Sequence, residues 1–331
     1  MKRIAVVGFG FMGVTHARCI LSTPGLELCG IVDARGRTAL TSPTQGNLGP
    51  KQLPAELVGE VPFFENLGEC AREQKLDAVS VCVPLHLHYQ VVKEAFELGL
   101  DVLVEKPFCA DSKQGAELIA LASERDLILM VAHCVRFAPE WAYLADCVRE
   151  SRFGKLKLLS MSRMGGAPNW GAWSDPKVAA TCGGALMDLL IHDIDFANSI
   201  LGIPAGYDVN FHTDEFWDLS LRYNGSSALV SVKGGFLHKN SPFSSECVAI
   251  FENASIRFSS MQPGLLHIGS EKGGLETMKL PGDAYAAEIA YFAQCIENRK
   301  PPLRCMPEES LLAVETCRKI RKGIEKPEMA T

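Results

Sequence analysis

The sequence lacks long apolar stretches, clustered basic charge and closely spaced cysteines. No run of about 18 apolar residues occurs, so nothing in it is expected to span a membrane. Lys and Arg are scattered rather than gathered in runs, and the formal net charge is −6 over 331 residues. That balance argues against nucleic acid or an anionic membrane as the main partner. We find no internal repeat and no low-complexity segment.

The 12 cysteines are dispersed from Cys19 to Cys317 without a C-x-x-C pair. We therefore expect no metal site. Several lie in apolar runs, as Cys82 does, where a free cysteine behaves as a small buried hydrophobe. Near the amino end, glycines interrupt the apolar run too early for the core of a secretory signal. Free thiols at this density predict a reducing, cytoplasmic location.

The first part of the chain alternates short apolar runs with longer amphipathic ones. A length of 331 residues favours two domains, and this alternation is typical of β-α-β units around a parallel sheet. We predict a first domain over residues 1–130. Its predicted strands are 3–8, 26–33, 78–84, 101–105 and 127–133. Its predicted helices are 12–22, 88–98 and 112–124, whereas 41–54 is expected to be a loop.

The pattern changes after about residue 135, where apolar and polar residues alternate between turn signals. Such alternation indicates a mostly antiparallel sheet with one covered face. We predict a second, α+β domain over residues 131–331 with an open sheet. Its clearest strand segments are LKLLSMSRMGG, FWDLSLRY, SALVSVKGGF and VAIFENASIRFSS, and its predicted helices cover 184–201 and two segments near the end. The fold class is therefore α/β with a second α+β domain.

Glycines in the pattern G-x-G-x-x-G follow the first predicted strand directly. Gly8 permits a tight turn, Gly10 lets a pyrophosphate approach the backbone, and Gly13 allows close packing of helix on strand. Phe11 and Met12 open the helix, whose N–H groups face the anion. A glycine-rich surface turn is the alternative reading. The predicted strand before the glycines and the predicted helix after them instead indicate a Rossmann dinucleotide-binding domain.

Asp33 ends the second predicted strand, 20 residues beyond Gly13. A carboxylate there can hold the ribose 2′-hydroxyl of NAD, and its charge repels a 2′-phosphate. Arg35 and Arg37 follow closely and could turn to accept that phosphate. We therefore predict NAD as the cofactor, with NADP as the alternative.

Several segments together resemble the glucose-fructose oxidoreductase, inositol dehydrogenase and rhizopine-catabolism family, called Gfo/Idh/MocA. The resemblance rests on GFGFMG with Asp33 and runs through nearly the whole chain. Its other motifs are VPLHLHYQVVKEAFELGLDVLVEKPF (83–108), HCVRFAPEW (133–141) and GGALMDLLIHDID (183–195). It implies a dehydrogenase of two domains that acts on sugars or cyclitols.

The resemblance assigns the Glu105-Lys106-Pro107 tripeptide to cofactor and substrate contact. Lys106 follows a parallel strand at its carboxyl end, where ligands bind in such sheets, and its ammonium can stabilise charge on a reacting oxygen. In the family the peptide bond before this proline is often cis. Pro84 and His88 match a second cofactor-contacting segment of the family. Leu85 departs from it, because the family usually carries Asn there.

Asp188 and His192 are 4 residues apart, so on a helix they share a face. The resemblance implies that His192 is the acid/base and Asp188 its partner. Histidine suits that task near neutral pH, and a nearby carboxylate raises its basicity. The alternative is a core histidine beside an ordinary polar residue. Asp193 and Asp195 are expected to face solvent or an interface.

The segment RMGGAPNWGAW carries further candidates for substrate binding, chiefly Arg163 and Trp173. Aromatic faces beside polar groups suit a sugar or polyol, although tryptophans packed under a loop are the plain alternative.

The sequence therefore predicts an enzyme that moves a hydride between nicotinamide and a secondary alcohol or ketone carbon. The predicted substrate is a sugar, sugar acid, polyol or cyclitol, and the resemblance implies a homodimer or homotetramer. Two alternatives remain on the same scaffold: an NAD-assisted glycoside hydrolase, and a non-catalytic ligand-sensing protein.

Overall fold

The computed structural model describes residues 1–41, 44, 46, 60–169 and 182–325. Its contacts divide the chain into two compact units. The first contains Met1–Cys134 and Ala284–Leu311, and the second contains Val135–Pro168, Gly183–Asp283 and Leu312 onward. Within the described residues, no helix is both long enough and apolar enough to cross a membrane.

A parallel sheet of six strands forms the centre of the first unit, as predicted. The strands are β1 (Lys2–Val7), β2 (Leu26–Val32), β3 (Phe63–Phe64), β4 (Ala78–Val81), β5 (Asp101–Glu105) and β6 (Leu129–Ala132). Their order is β3-β2-β1-β4-β5-β6. The order reverses at β1, which pairs with both β2 and β4. Ligands of such sheets bind at this switch point, outside the carboxyl ends of the strands.

Helices connect these strands, and a later segment of the chain adds one more. They are α1 (Phe11–Ser22), α2 (Thr38–Thr41), α3 (Leu67–Gln74), α4 (His88–Glu97) and α5 (Ser112–Glu124). Polar caps start two of them: the Asn66 side chain accepts from the Glu69 N–H before α3, and Asp111 accepts from the Lys113 N–H before α5. Sequence alternation did not reveal α3 or the short strand β3.

The second unit is built on an eight-stranded sheet. Its strands are β7 (Leu156–Gly166), β8 (Pro204–His212), β9 (Phe216–Tyr223), β10 (Leu229–Leu237), β11 (Ser244–Phe251), β12 (Ala254–Ser259), β13 (Leu265–Ser270) and β14 (Gly274–Lys279). The order is β14-β13-β12-β11-β7-β10-β9-β8. All pairs are antiparallel except β7 with β10. The predicted α+β fold with a mostly antiparallel sheet is confirmed.

The remaining helices are α6 (Pro139–Arg149), α7 (Ile191–Leu201), α8 (Ala284–Asn298) and α9 (Pro307–Glu325). A π-helical segment, Leu186–Leu190, runs directly into α7. The predicted second domain extended to residue 331, but α8 lies in the first compact unit, where it packs against α1.

Two buried ion pairs anchor α7 within the second unit. Arg136 donates from Nε and Nη2 to Asp195, both at 2.7 Å. Arg163 donates from Nε to Asp193 at 3.1 Å and from Nη2 at 2.8 Å. Both aspartates have 0% exposure, so the expectation that they face solvent or an interface is wrong. Arginines from other elements neutralise them, and this pairing makes their burial tolerable.

Asp195→Asn should therefore destabilise the protein strongly. The substitution keeps the size of the side chain but removes the negative charge that faces Arg136 in the buried pair, which costs about 3–5 kcal/mol in free energy of unfolding. Denaturant unfolding measures the change.

The control is Asp208→Asn, which breaks the exposed pair between Asp208 and Arg222. That change should cost no more than about 1 kcal/mol. Equal losses in the two variants would contradict the anchoring role of the buried pair.

Candidate active site

The glycine turn between β1 and α1 has the geometry that a phosphate site requires. Gly8 has a φ of +91°, and a Cβ on it would lie 2.7 Å from the carbonyl oxygen of Cys82. A Cβ on Gly13 would overlap the carbonyl oxygen of Gly8. Both positions therefore exclude any side chain, because the backbone of α1 meets the sheet there.

Gly10 differs from its two partners, because a Cβ at this position would meet no atom of the described residues within 4 Å. In the part of the chain that the structure describes, the space in front of this residue is open, although the turn itself is closely packed. Phe11 and Met12 form the first turn of α1, which contains no acidic residue. An open backbone next to a helix amino end fits the pyrophosphate of a dinucleotide.

Asp33 follows β2 and is tied to the glycine turn. Its carboxylate accepts the backbone N–H of Phe9 at 2.8 Å and the Nε and Nη2 groups of Arg35 at 2.8 and 2.7 Å. Burial alone would raise its pKa, but the hydrogen bonds from Arg35 and Phe9 hold the pKa below the usual value of Asp. The group is thus an anion beside the turn, as the contact to a ribose hydroxyl requires.

The tripeptide Glu105-Lys106-Pro107 begins where β5 ends. The Lys106–Pro107 bond is cis, as the resemblance implied. The Oε2 atom of Glu105 accepts the backbone N–H of Lys106 at 3.0 Å. Lys106 is half-buried, whereas Glu105 is 7% exposed. The backbone at Lys106 is therefore fixed by the carboxylate of its own neighbour.

His88 is 1% exposed and braces the same turn from α4. Nδ1 lies 2.9 Å from the carbonyl oxygen of Pro107, and Nε2 lies 2.9 Å from that of Val83, the residue before Pro84. Burial lowers the pKa of His88, whereas the carbonyl groups of Val83, Phe108 and Pro107 act in the opposite direction. Since both nitrogens face backbone carbonyls, this geometry favours a structural role, and the predicted contact to cofactor stays a prediction.

Asp188 lies in the π-helical segment and His192 in the first turn of α7. From Ala185 to Asn198 every residue is buried except these two, which are partly exposed. They are therefore the two side chains that this stretch offers to a ligand. Single π-helical turns inside α-helices frequently occur at functional sites.

Arg163 is 5% exposed, with its guanidinium 6.0 Å from the ring centroids of both Trp141 and Phe243. It pairs with Asp193, so its binding to substrate stays a prediction. Trp173 lies outside the described residues.

Sequence reasoning missed two buried groups next to Glu105, namely His16 on α1 and Glu288 on α8. No local pattern marks either one, because only the folded chain brings α8 to α1.

A family model described as an oxidoreductase family with an NAD-binding Rossmann fold, GFO_IDH_MocA, matches residues 2–133. The match covers the sheet, the glycine turn and the Glu105-Lys106-Pro107 tripeptide. It agrees with the resemblance that the sequence motifs indicated.

Characterised dehydrogenases are among the relatives. The chain is 29% identical to D-glucoside 3-dehydrogenase of Escherichia coli over 64% of this chain and 57% of the relative. It is 30% identical to UDP-N-acetylglucosamine 3-dehydrogenase of Acidithiobacillus ferrooxidans over 60% and 54%. These matches span little more than half of the relatives' length. The scyllo-inositol 2-dehydrogenase (NAD(+)) of Bacillus subtilis is 26% identical over 91% of this chain and 88% of its own.

Solved structures share the fold over nearly the whole chain. The UDP-N-acetylglucosamine 3-dehydrogenase of A. ferrooxidans superposes with a TM-score of 0.78 at 24% identity, covering 97% of this chain and 96% of the other. A 3-ketoreductase from Actinomadura kijaniata, solved with NADP, gives a TM-score of 0.76 at 21% identity and covers 97% of both chains.

Alanine substitutions at Gly13 and Gly10 should have different effects, one on protein stability and the other on cofactor binding. Gly13→Ala forces the new methyl group into the Gly8 carbonyl and should lower the melting temperature. Gly10→Ala projects its methyl group into open space, so the melting temperature should stay near that of the wild type while affinity for NADH falls. Thermal unfolding and a fluorescence titration with NADH measure the two effects. If Gly10→Ala bound NADH with unchanged affinity, the site would lie elsewhere.

Proposed function

We propose that the protein is an NAD-dependent dehydrogenase, because residues 2–133 match the model of an oxidoreductase family with an NAD-binding Rossmann fold. It oxidises a secondary alcohol carbon of a sugar, sugar acid, polyol or cyclitol, or reduces the matching ketone. The open backbone at Gly10, beside a helix amino end and the Asp33 carboxylate, carries the proposal.

The dinucleotide is held by groups of the first unit. In this proposal Gly8, Gly10, Phe11, Met12 and Gly13 would hold the pyrophosphate, and the Asp33 carboxylate would accept hydrogen bonds from the ribose hydroxyls. Arg35, which is half-exposed and paired with Asp33, would have to yield one carboxylate oxygen to the ribose. When bound, the nicotinamide accepts or supplies the hydride.

Lys106 polarises the reacting oxygen. Its ammonium donates a hydrogen bond to the alcohol or carbonyl oxygen and stabilises negative charge that develops there. The hydrogen bond from its own backbone N–H to Glu105 fixes the position from which the side chain reaches. Glu105 therefore contributes by orienting Lys106.

His192 accepts the proton of the alcohol. Its Nδ1 is buried, so we assign proton transfer to Nε2. Asp188, the other partly exposed residue of this stretch, orients the ring or binds a neighbouring hydroxyl. In oxidation the proton passes from the substrate oxygen to Nε2 while the hydride leaves the same carbon. In reduction the proton and the hydride move in the opposite direction, toward the substrate.

The names of the relatives support the substrate class, since they include a glucoside, a nucleotide sugar and an inositol dehydrogenase. We further propose a cytoplasmic location, which the 12 free cysteines favour. A homodimer or homotetramer is proposed by analogy with the family.

Alanine at either Lys106 or His192 should lower kcat by about 10²-fold or more, because each supplies proton transfer or charge stabilisation. Binding of NADH should survive in both variants. Steady-state kinetics and a fluorescence titration measure the two effects. Lys113→Ala and His238→Ala, at exposed positions, are the matched controls. Near-normal turnover in Lys106→Ala or His192→Ala would remove that residue from the mechanism.

Asp33→Asn should shift cofactor preference from NAD toward NADP. The change removes the repulsion on a 2′-phosphate and frees Arg35 to bind it. A hydrogen bond to a charged group contributes about 1.5–3 kcal/mol, so the ratio of kcat/KM for NADP to that for NAD should rise roughly tenfold or more.

Adding Arg35→Ala to Asp33→Asn should reverse the gain, because the phosphate then loses its cation. If Asp33→Asn left the ratio of kcat/KM for NADP to that for NAD unchanged, Asp33 would not contact the ribose.

A further inference from the structure

A cluster of three buried titratable side chains lies in the first unit, outside the proposed catalytic set. His16 comes from α1, Glu105 from the end of β5 and Glu288 from α8. Their exposures are 0%, 7% and 0%. Burying ionisable groups is unfavourable unless they compensate each other or give up their charge. The cluster therefore needs a physical explanation.

His16 makes contacts from both ring nitrogens. Nε2 lies 3.1 Å from Oε1 of Glu105, and Nδ1 lies 2.7 Å from the hydroxyl of Ser80. The contact with Glu105 is an ion pair without the alignment of a full hydrogen bond. Burial alone would lower the pKa of His16, but Cys82 and Glu105 raise it well above its usual value. The contact with the Glu105 carboxylate and this direction of the pKa both favour the protonated ring, an imidazolium.

Glu105 joins this imidazolium to Lys106. Burial alone would raise the pKa of Glu105, yet His16, Lys106 and His88 hold it below the usual value, so it is a carboxylate. Oε1 faces the imidazolium and Oε2 accepts the Lys106 N–H. A carboxylate shared in this way fixes the backbone more firmly than a neutral acid would.

Glu288 completes the charge balance. Neither of its oxygens has a hydrogen-bond partner among the described residues. Burial raises its pKa well above the usual value, although the charge of His16 acts in the opposite direction, so it stays a neutral acid. Of the two described carboxyl groups beside His16, Glu105 is therefore the one that carries the negative charge. The nearby phenol of Tyr285, whose pKa is also raised well above the usual value, is neutral too.

We propose that His16 is a positioning residue for Lys106, acting through Glu105: its imidazolium holds the carboxylate that fixes the lysine backbone. The proposal rests on the proposed role of Lys106 in the reaction. Cys82, Glu105 and Glu288 are the titratable groups that face the ring, and Ser80 binds its second nitrogen.

The direction of the pH effect follows from the charges. The pKa of His16 is higher in the folded chain than in the unfolded one, so the ion pair is complete below the unfolded pKa of about 6.5. It is lost as the pH rises through the higher folded pKa. Loss of the ion pair should weaken the hydrogen bond between Glu105 and the Lys106 N–H. The value of kcat should therefore fall with rising pH, with its midpoint at the folded pKa of His16.

The test combines nuclear magnetic resonance of the full-length wild type with kinetics of His16→Gln. The ¹⁵N imidazole shifts of His16 should show a protonated ring at pH 7, and the Lys106 amide proton should titrate at the same alkaline midpoint. His16→Gln should lower kcat roughly tenfold or more, because a reaction slows when a catalytic group is displaced from its productive position. The alkaline limb with that midpoint should vanish in this variant. His238→Gln, at an exposed position, is the control and should change neither signal.

A neutral His16 ring in the wild type at pH 7 would overturn the proposal, even if His16→Gln failed to fold. An unchanged Lys106 amide signal across the titration would do the same. If no polyol were oxidised at all, the proposed function would fail, but both resonance measurements would still decide the charge of His16. Infrared spectra supply a third check, because the protonated-carboxyl band should disappear in Glu288→Gln.

Discussion

The close approach of α1 to the carboxyl end of β1 is the constraint on which the first unit depends. A side chain at Gly13 would overlap the carbonyl of Gly8, so the helix begins against the strand with no space between them. That contact leaves the backbone at Gly10 open and lets the Phe9 N–H reach Asp33. It also places His16, one turn along α1, against Glu105. One backbone contact thus underlies both the proposed phosphate site and the support of the lysine turn.

In the second unit, two buried ion pairs hold α7 in place. The aspartates on α7 are fully buried, and each is paired with an arginine from another element. Such pairs add little net stability compared with apolar packing, but breaking one is expensive. They hold α7 in one orientation, with the partly exposed Asp188 and His192 pointing away from the packed side. Both units therefore fix their candidate catalytic side chains by rigid local contacts.

Much of the fold could be predicted because its central elements carry strong patterns. The bounds of β5, β7, β9 and α5 agree with those expected from the sequence. The strands that were missed include β8 and β14, which lie at the edges of the second sheet. β14 is exposed along most of its length, so it has no alternation to detect. The segment expected as one strand near residue 250 turns at residues 252–253 and forms β11 and β12.

The candidate site could be proposed from the sequence only where its chemistry follows a local motif. The glycine turn, Asp33, the lysine tripeptide and the pair on the helix each have a recognisable spacing. The burial of Asp193 and Asp195 was not predicted, because their arginine partners are distant in the sequence. His16 and Glu288 carry no motif at all, since their relation depends on α8 packing against α1. Long-range contacts of this kind are set by the tertiary fold rather than by periodicity.

Oxidation of candidate substrates in the presence of NAD or NADP tests the central claim most directly. Scyllo-inositol, a methyl glucoside and UDP-N-acetylglucosamine represent the substrate classes named for the relatives. The absorbance of the reduced cofactor should rise with at least one of them, and faster with NAD than with NADP. Cleavage of the glucoside without net cofactor reduction would contradict the account in favour of a hydrolase. Tight binding of a sugar with neither reaction would instead identify a sensor.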